Sequence, residues 1–125
     1  MSNASFFLAL PGWIMPQSHN LTECMSVGAV PILEYASFLG QPLQDGVNCL
    51  VYSGLEHLEV VIKQAIKMPE DRIEDMRRNV LEYYDKVLSM AAVAALVRNC
   101  TSGVITVMAE AASVARANAR PAALV

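Results

Sequence analysis

The apolar residues in the first half of the chain form short runs separated by polar stretches. Mostly apolar runs occur at residues 6–10, 29–33 and 47–52, and each is bordered by Gly, Pro, Asn or Asp. Such short, bordered runs are typical of strands buried in a parallel sheet. We therefore predict three strands. Pro31 lacks a ladder donor, so we expect the second strand to avoid a central position unless Pro31 begins it.

The residues between these runs show the periodicity of helices. Asn20 is the predicted N-cap of a short helix, in which Leu21, Cys24 and Met25 share one apolar face, and Gly28 is placed to end it. Each of these signals is a local one. Together they predict a helix between the first and second strands.

Two further helices are expected after the third strand. Ser53 and Glu56 form a capping-box pattern, which predicts a helix that ends near Lys67. A long helix is predicted from Pro69 to Arg98, with apolar residues at the a and d positions of about three heptads. Two interpretations stay open for this helix: it packs on its own sheet, or it pairs with a second copy in a homodimer.

Strand and helix signals alternate up to residue 67, which predicts an α/β fold. We expect a partial Rossmann-like lobe over residues 5–98, with a short parallel sheet of about three strands, flanking helices and a long C-terminal helix. Ligands of such folds bind at the carboxyl ends of the strands, so the loop of residues 11–19 is the predicted site region. Residues 99–125 are predicted to form an alanine-rich helical tail, and residues 1–4 resemble a cloning remnant.

Composition narrows the class of protein further. The 125 residues suit one domain, and the uncharged stretches of its second half, such as residues 87–97, are far shorter than the ~20 residues that span a bilayer. Three widely spaced cysteines fit neither a disulfide framework nor a zinc site, so we expect reduced thiols and a cytoplasmic protein. All nine basic residues lie at or after Lys63, and they form no patch of the kind that binds nucleic acid.

Two segments resemble the nucleotide-binding lobe of GT-B glycosyltransferases, a group that includes glycogen synthases. The first is NLTECMSVGAVPI, residues 20–32, in which Glu23 and Gly28 fall at the family's Glu and Gly positions. The second is DGVNCLVYSGLEHLEVVIKQAI, residues 45–66, which is similar to the family's DGxNGLLV strand and following helix. The resemblance spans roughly residues 5–85, and its specificity lies in the order and spacing of both motifs.

The resemblance implies a nucleotide-sugar site at the start of the first helix. Asn20, Leu21 and Thr22 would face the diphosphate of the donor, because helix N-termini attract anions. Glu23 would hold the ribose hydroxyls, since a carboxylate accepts two hydrogen bonds from a vicinal diol. His19 could donate to a phosphate oxygen. The alternative is that Glu23, three residues after Asn20, closes a capping box on its own helix.

The sequence departs from the family pattern in three respects. Met15 stands where many members carry an earlier glutamate that touches the sugar, and no basic pair precedes Lys63. The acceptor domain is also missing, so the resemblance implies a donor-binding fragment that is inactive alone and needs an N-terminal acceptor domain as partner. No catalytic residue, metal ligand or cofactor is predicted. The alternative function is a non-catalytic oligomerisation module that uses the helix of residues 69–98.

Overall fold

The computed structural model of the protein describes residues 4–11 and 19–100. Three strands, β1 Phe6–Leu8, β2 Val30–Leu33 and β3 Leu50–Val51, form one open parallel sheet in the order β1-β2-β3. The prediction of an α/β fold with a short three-stranded parallel sheet is therefore confirmed. The predicted helical tail lies outside the described residues, except for its first two residues.

The helices follow the strands in the predicted order. Helix α1 spans His19–Ser26, a 3-10 turn spans Ala36–Phe38, and α2 spans Gly54–Ile66. Helix α3 covers Glu70–Tyr83 and continues into a π-helical segment, Tyr84–Leu88, before α4 at Met90–Asn99. These last three elements make up the long C-terminal helix, which is bent rather than continuous.

The bend in the C-terminal helix is centred on Ser89. This residue is extended, with φ −63° and ψ 151°, and its Oγ accepts a hydrogen bond from the N–H of Ala92 at 3.1 Å. Ser89 is thus the N-cap of a new helix, as serine commonly is. The predicted long C-terminal helix is therefore present as a bent helix, which Ser89 divides between the π-helical segment and α4.

Strand β2 is the central strand, contrary to the expectation based on Pro31. All four of its residues are buried, so both faces of the sheet are covered there. Val30 donates its N–H to Ser5 on the β1 side, and successive N–H groups of a strand point to opposite sides. Pro31 therefore faces the β3 side, where pairing begins only at Ile32, opposite Leu50. No ladder hydrogen bond is lost at the proline.

The core lies between the sheet, α1 and α3. Its most completely buried side chains include Met25 from α1, Val30 from β2, and Met76 and Val80 from α3. Met76 and Val80 occupy a and d positions of the heptad pattern, and they pack within this chain. The first half of the long helix therefore covers its own sheet, which agrees with the intramolecular interpretation of the heptads.

Helix α1 ends in the way that Gly28 predicts. Gly28 adopts a positive φ of 73°, its N–H donates to the carbonyl of Met25, and the N–H of Ala29 donates to that of Cys24. Glycine accepts this left-handed conformation without the steric cost that a Cβ would add. The turn returns the chain directly to the start of β2.

Candidate functional site

Helix α1 begins at the carboxyl end of the sheet. The chain leaves β1 at Leu8, enters α1 at His19, and re-enters the sheet at Val30 on a strand parallel to the first. The first N–H groups of a helix have no acceptor within that helix. The N–H groups of His19, Asn20 and Leu21 have no acceptor within α1 itself, and they lie at the edge where parallel sheets bind ligands.

The predicted site residues differ in what they present at this end of α1. His19, Asn20, Thr22 and Glu23 are exposed, whereas Leu21 is buried, only 3% exposed, and packs in the core. Leu21 can therefore offer a ligand only its backbone N–H. The N–H of Thr22 can bond to a carbonyl within the helix. Thr22 therefore offers a ligand its side-chain hydroxyl.

The capping-box alternative for Glu23 is not what the structure contains. Helix α1 begins at His19, so Asn20 is a helical residue and not the N-cap. Within the described residues, neither the Asn20 side chain nor the Glu23 carboxylate takes part in a hydrogen bond or an ion pair. The acid thus stands on an exposed helical face, and its oxygens accept no hydrogen bond from residues 4–11 or 19–100.

Glu23 lines an open depression of about 390 Å³ beside β1. Asn20 and Glu23 contribute its polar side, and Phe7, Cys24 and Val27 its apolar side. Phe7 is half-buried and comes from the edge strand. Phe7 was not predicted as a site residue, because the strand pattern alone does not show that its ring lies beside the acid on α1.

The carboxyl ends of β2 and β3 are closed by side chains of the protein itself. Glu34, directly after β2, accepts a hydrogen bond from the N–H of Gly54 at 3.4 Å, and His57 Nδ1 accepts one from the N–H of Ser53 at 3.1 Å. These two acceptors serve the N-terminus of α2. The predicted capping box of Ser53 with Glu56 is wrong, since the imidazole of His57 takes that place.

Two polar side chains hold the loop that precedes β3. Asn48 Oδ1 accepts a hydrogen bond from the N–H of Gln44 at 2.7 Å, and Asp45 Oδ1 accepts one from the N–H of Val51 at 2.8 Å. Both bonds hold the loop that enters β3.

Helix α3 ties the amino ends of the strands together through donors to backbone carbonyls. Arg77 Nε donates to Gly28 at 3.0 Å and Asn79 Nδ2 donates to Val47 at 3.2 Å. Arg72 and Tyr83 bind the carbonyls of Gly46 and Gln41 in the same way, as the pairs Arg72–Gly46 and Tyr83–Gln41. Helix α3 therefore anchors the Gly28 turn and the loop that precedes β3.

The two buried thiols, Cys24 and Cys49, offer little reactivity in the folded chain. Burial raises the pKa of Cys24 to about 12, and burial, reinforced by the negative charge of Asp45, raises that of Cys49 to about 12. A thiol with such a pKa stays protonated and is a poor nucleophile and metal ligand. Among residues 4–11 and 19–100, no three His, Cys, Asp or Glu side chains come together as a metal site would require.

No helix in the described part of the chain has both the length and the apolar character needed to cross a bilayer. Comparison of the chain with models of protein families, with curated proteins and with solved structures finds no significant match. The site must therefore be interpreted from its own geometry and from the motifs of the sequence.

Proposed function

We propose that this chain is the donor-binding part of a glycosyltransferase and that it binds the nucleoside diphosphate of a nucleotide sugar. The observation that carries the proposal is the Glu23 carboxylate, which is exposed, lines an open depression and has no partner within the described residues. An acid so placed, one turn into the helix that starts at the carboxyl end of the sheet, suits a ribose diol.

The diphosphate has a complementary position in this proposal. It meets the N–H groups of His19, Asn20 and Leu21, with the hydroxyl of Thr22 and the imidazole of His19 as further donors. The half-buried ring of Phe7, on the other side of Glu23, provides an apolar surface next to the ribose. The ribose and the diphosphate are thus each matched by groups of suitable chemistry.

Transfer of the sugar requires more than this chain. An acceptor domain and cationic residues that neutralise the diphosphate belong to the proposed N-terminal partner, since the first basic residue here is Lys63. We expect weak, millimolar binding of a nucleotide and no transferase activity by the chain alone, which we place in the cytoplasm. A diphosphate facing only helix amides and one histidine lacks the charge-assisted pairs that strengthen binding.

Calorimetric titration with UDP, GDP and ADP tests the binding proposal directly. We expect heat of binding for one nucleotide and a roughly tenfold weaker affinity in Glu23→Gln, because a hydrogen bond to a charged group contributes about 1.5 to 3 kcal/mol. Glu56→Gln is the matched control, since this exposed acid lies on α2, away from α1. Absence of heat with all three nucleotides would remove the proposal.

A second candidate function is self-association through α4. Four apolar side chains of this ten-residue helix are exposed: Met90 83%, Val93 44%, Leu96 62% and Val97 56%. A surface of this kind is typical of a helix that pairs with a partner. Light scattering of the wild type and of Leu96→Glu tests it: a dimer that dissociates in the variant supports self-association, and a wild-type monomer at high concentration rejects it.

A further inference from the structure

An open pocket of about 490 Å³ lies at the amino edge of the sheet, away from the start of α1. One wall is the loop of residues 40–48, and the other is formed by the end of α3 and the π-helical segment. Four carboxamide side chains line it, and we call it the amide pocket: its carboxamides are Gln41, Gln44, Asn48 and Asn79. Its position separates it from the nucleotide site proposed above.

Asn48 is the buried polar group of this pocket. It is only 7% exposed, and its Oδ1 accepts the hydrogen bond from the N–H of Gln44. This bond also identifies which side-chain atom is the oxygen, because an N–H donor requires an acceptor. The two N–H donors of Nδ2 have no acceptor among residues 4–11 and 19–100.

The buried Asn48 Nδ2, whose donors have no acceptor among the described residues, limits which ligands the pocket can bind. A buried polar group without a partner costs about 1 to 3 kcal/mol, so such groups call for an explanation in each structure. Here the donor belongs to the lining of an open pocket. A ligand with hydrogen-bond acceptors would satisfy it.

The charges of the lining favour a neutral ligand. Glu82 and Lys86, one turn apart, form an ion pair with each other at the rim. Lys86 is the only basic residue of the lining, so an anion would find no uncommitted cation there. Neutral carboxamides, which both donate and accept, match hydroxyl groups, which do the same.

The amide pocket also has an apolar surface, against which the C–H groups of a ligand can pack. The half-buried ring of Tyr83, at the end of α3, lies in the lining together with Val87 of the π-helical segment. The Tyr83 hydroxyl donates to the carbonyl of Gln41, and burial raises the pKa of this hydroxyl to about 12. The hydroxyl therefore stays protonated at neutral pH, and the hydrogen bond from Tyr83 to the loop of residues 40–48 persists. π-Helical turns are frequent at functional sites.

We infer that the amide pocket binds a neutral polyhydroxylated ligand of the size of a mono- or disaccharide. Asn48 Nδ2 donates to a hydroxyl oxygen of the ligand, Asn79 keeps its Oδ1 as an acceptor while its Nδ2 holds Val47, and Gln41 closes the rim. The inference does not depend on the nucleotide site, because the amide pocket and the depression at Glu23 have no lining residue in common.

Nuclear magnetic resonance of the 15N-labelled full chain tests the inference with glucose, maltose and sodium phosphate as probes. We expect saturable, millimolar shifts of the Asn48 and Asn79 side-chain amides with glucose or maltose and none with phosphate. Gln41→Ala should weaken the sugar at least threefold, since the exposed rim carboxamide is lost while its backbone carbonyl remains for Tyr83. Gln64→Ala, an exposed carboxamide on α2, is the matched control and should bind as the wild type does.

Asn48→Asp is the sharper variant. It keeps an oxygen for the N–H of Gln44 but removes the two donors, so we expect at least a tenfold loss of sugar binding. If this variant does not fold, the wild-type titration and Gln41→Ala still decide. No shift with either sugar, shifts with phosphate alone, or equal affinity in Gln41→Ala would each overturn the inference. A UDP titration that shifts only α1 amides would leave this result untouched.

Discussion

Arg77 on α3 donates from Nε to the backbone carbonyl of Gly28, 3.0 Å away and 49 residues earlier in the chain. Gly28 lies in the turn that joins α1 to β2. The hydrogen bond therefore connects α1, which carries the proposed nucleotide site, to α3, which lines the amide pocket. The same helix binds carbonyls at Val47 and Gln41. Helix α3 therefore holds both the Gly28 turn and the loop of residues 40–48 at one edge of the sheet.

Replacing Arg77 should destabilise the fold more than replacing its neighbour. The Arg77 side chain is 25% exposed and binds the carbonyl of Gly28, whereas that of Arg78 is 72% exposed and pairs only with Asp75. We expect Arg77→Ala to lower the free energy of unfolding by about 1.5 to 3 kcal/mol and Arg78→Ala by under about 1 kcal/mol. Urea denaturation measures both. Equal effects would mean that the bond to Gly28 adds no stability.

Alanine substitutions at Gly28 and Gly54 separate the cost of backbone strain from the cost of a steric contact. Gly28 and Gly54 both have a positive φ, 73° and 72°, but a Cβ at Gly28 would lie 3.2 Å from the Leu81 side chain, whereas at Gly54 it would meet nothing within 4 Å. Gly54→Ala should therefore cost about 1 to 2 kcal/mol from strain alone, and Gly28→Ala more. Stability of both variants is measured by urea denaturation.

The double variant Gly28→Ala with Leu81→Ala tests the cause of the extra cost. Relative to Leu81→Ala alone, the alanine at 28 should then cost about what it costs at 54, because the neighbouring side chain no longer crowds the Cβ. If the difference between the two positions remained undiminished, the contact with Leu81 would not be its source. Gly40→Ala, with open space and no positive φ, should be close to neutral.

Ser89 should control whether α4 forms. Its Oγ accepts from the N–H of Ala92 and donates to the carbonyl of Asp85 at 2.9 Å, so it closes the π-helical segment and starts α4. We expect Ser89→Ala to lower the free energy of unfolding by about 1 kcal/mol. Hydrogen exchange of residues 92–99 should be faster in the variant. Ser53→Ala is the control, because Ser53 occupies an N-cap without a side-chain hydrogen bond; an equal loss there would contradict the role of Ser89.

The fold was largely predictable from local patterns, and the reasons for the exceptions are physical. Gly28 ends α1 because glycine readily adopts the positive φ of this turn, and this preference can be predicted from the sequence alone. The break at Ser89 was missed because the heptad pattern continues through it, although a serine before an alanine-rich stretch is an N-cap signal. Strand β3 is shorter than predicted because Val47 and Asn48 belong to the Asp45–Gly46 turn.

The candidate sites were predictable only in part. The strand, loop and helix at residues 6–26 place Glu23 and His19 near the carboxyl edge by topology, so sequence locates that region. The amide pocket was not predicted, since burial of Asn48 depends on α3, whose Asn79 is 31 positions later. Residues brought together by tertiary packing leave no local pattern.

Ionisation of the buried thiols should make the fold lose stability in alkali. The pKa of Cys24 and of Cys49 rises from 9.0 to about 12 in the folded chain, and that of Tyr83 from 10.0 to about 12. Between these values the unfolded chain releases protons that the native chain retains, so the free energy of unfolding falls as pH rises above about 9 and is unaffected by these groups below it. Urea denaturation from about pH 7 to about pH 11 measures this slope.

Cys49→Ala should flatten the slope, whereas Val61→Ala, a buried control 3% exposed, should lower stability at every pH without changing the slope. A slope that is the same in Cys49→Ala as in the wild type would show that this thiol is not protected by burial.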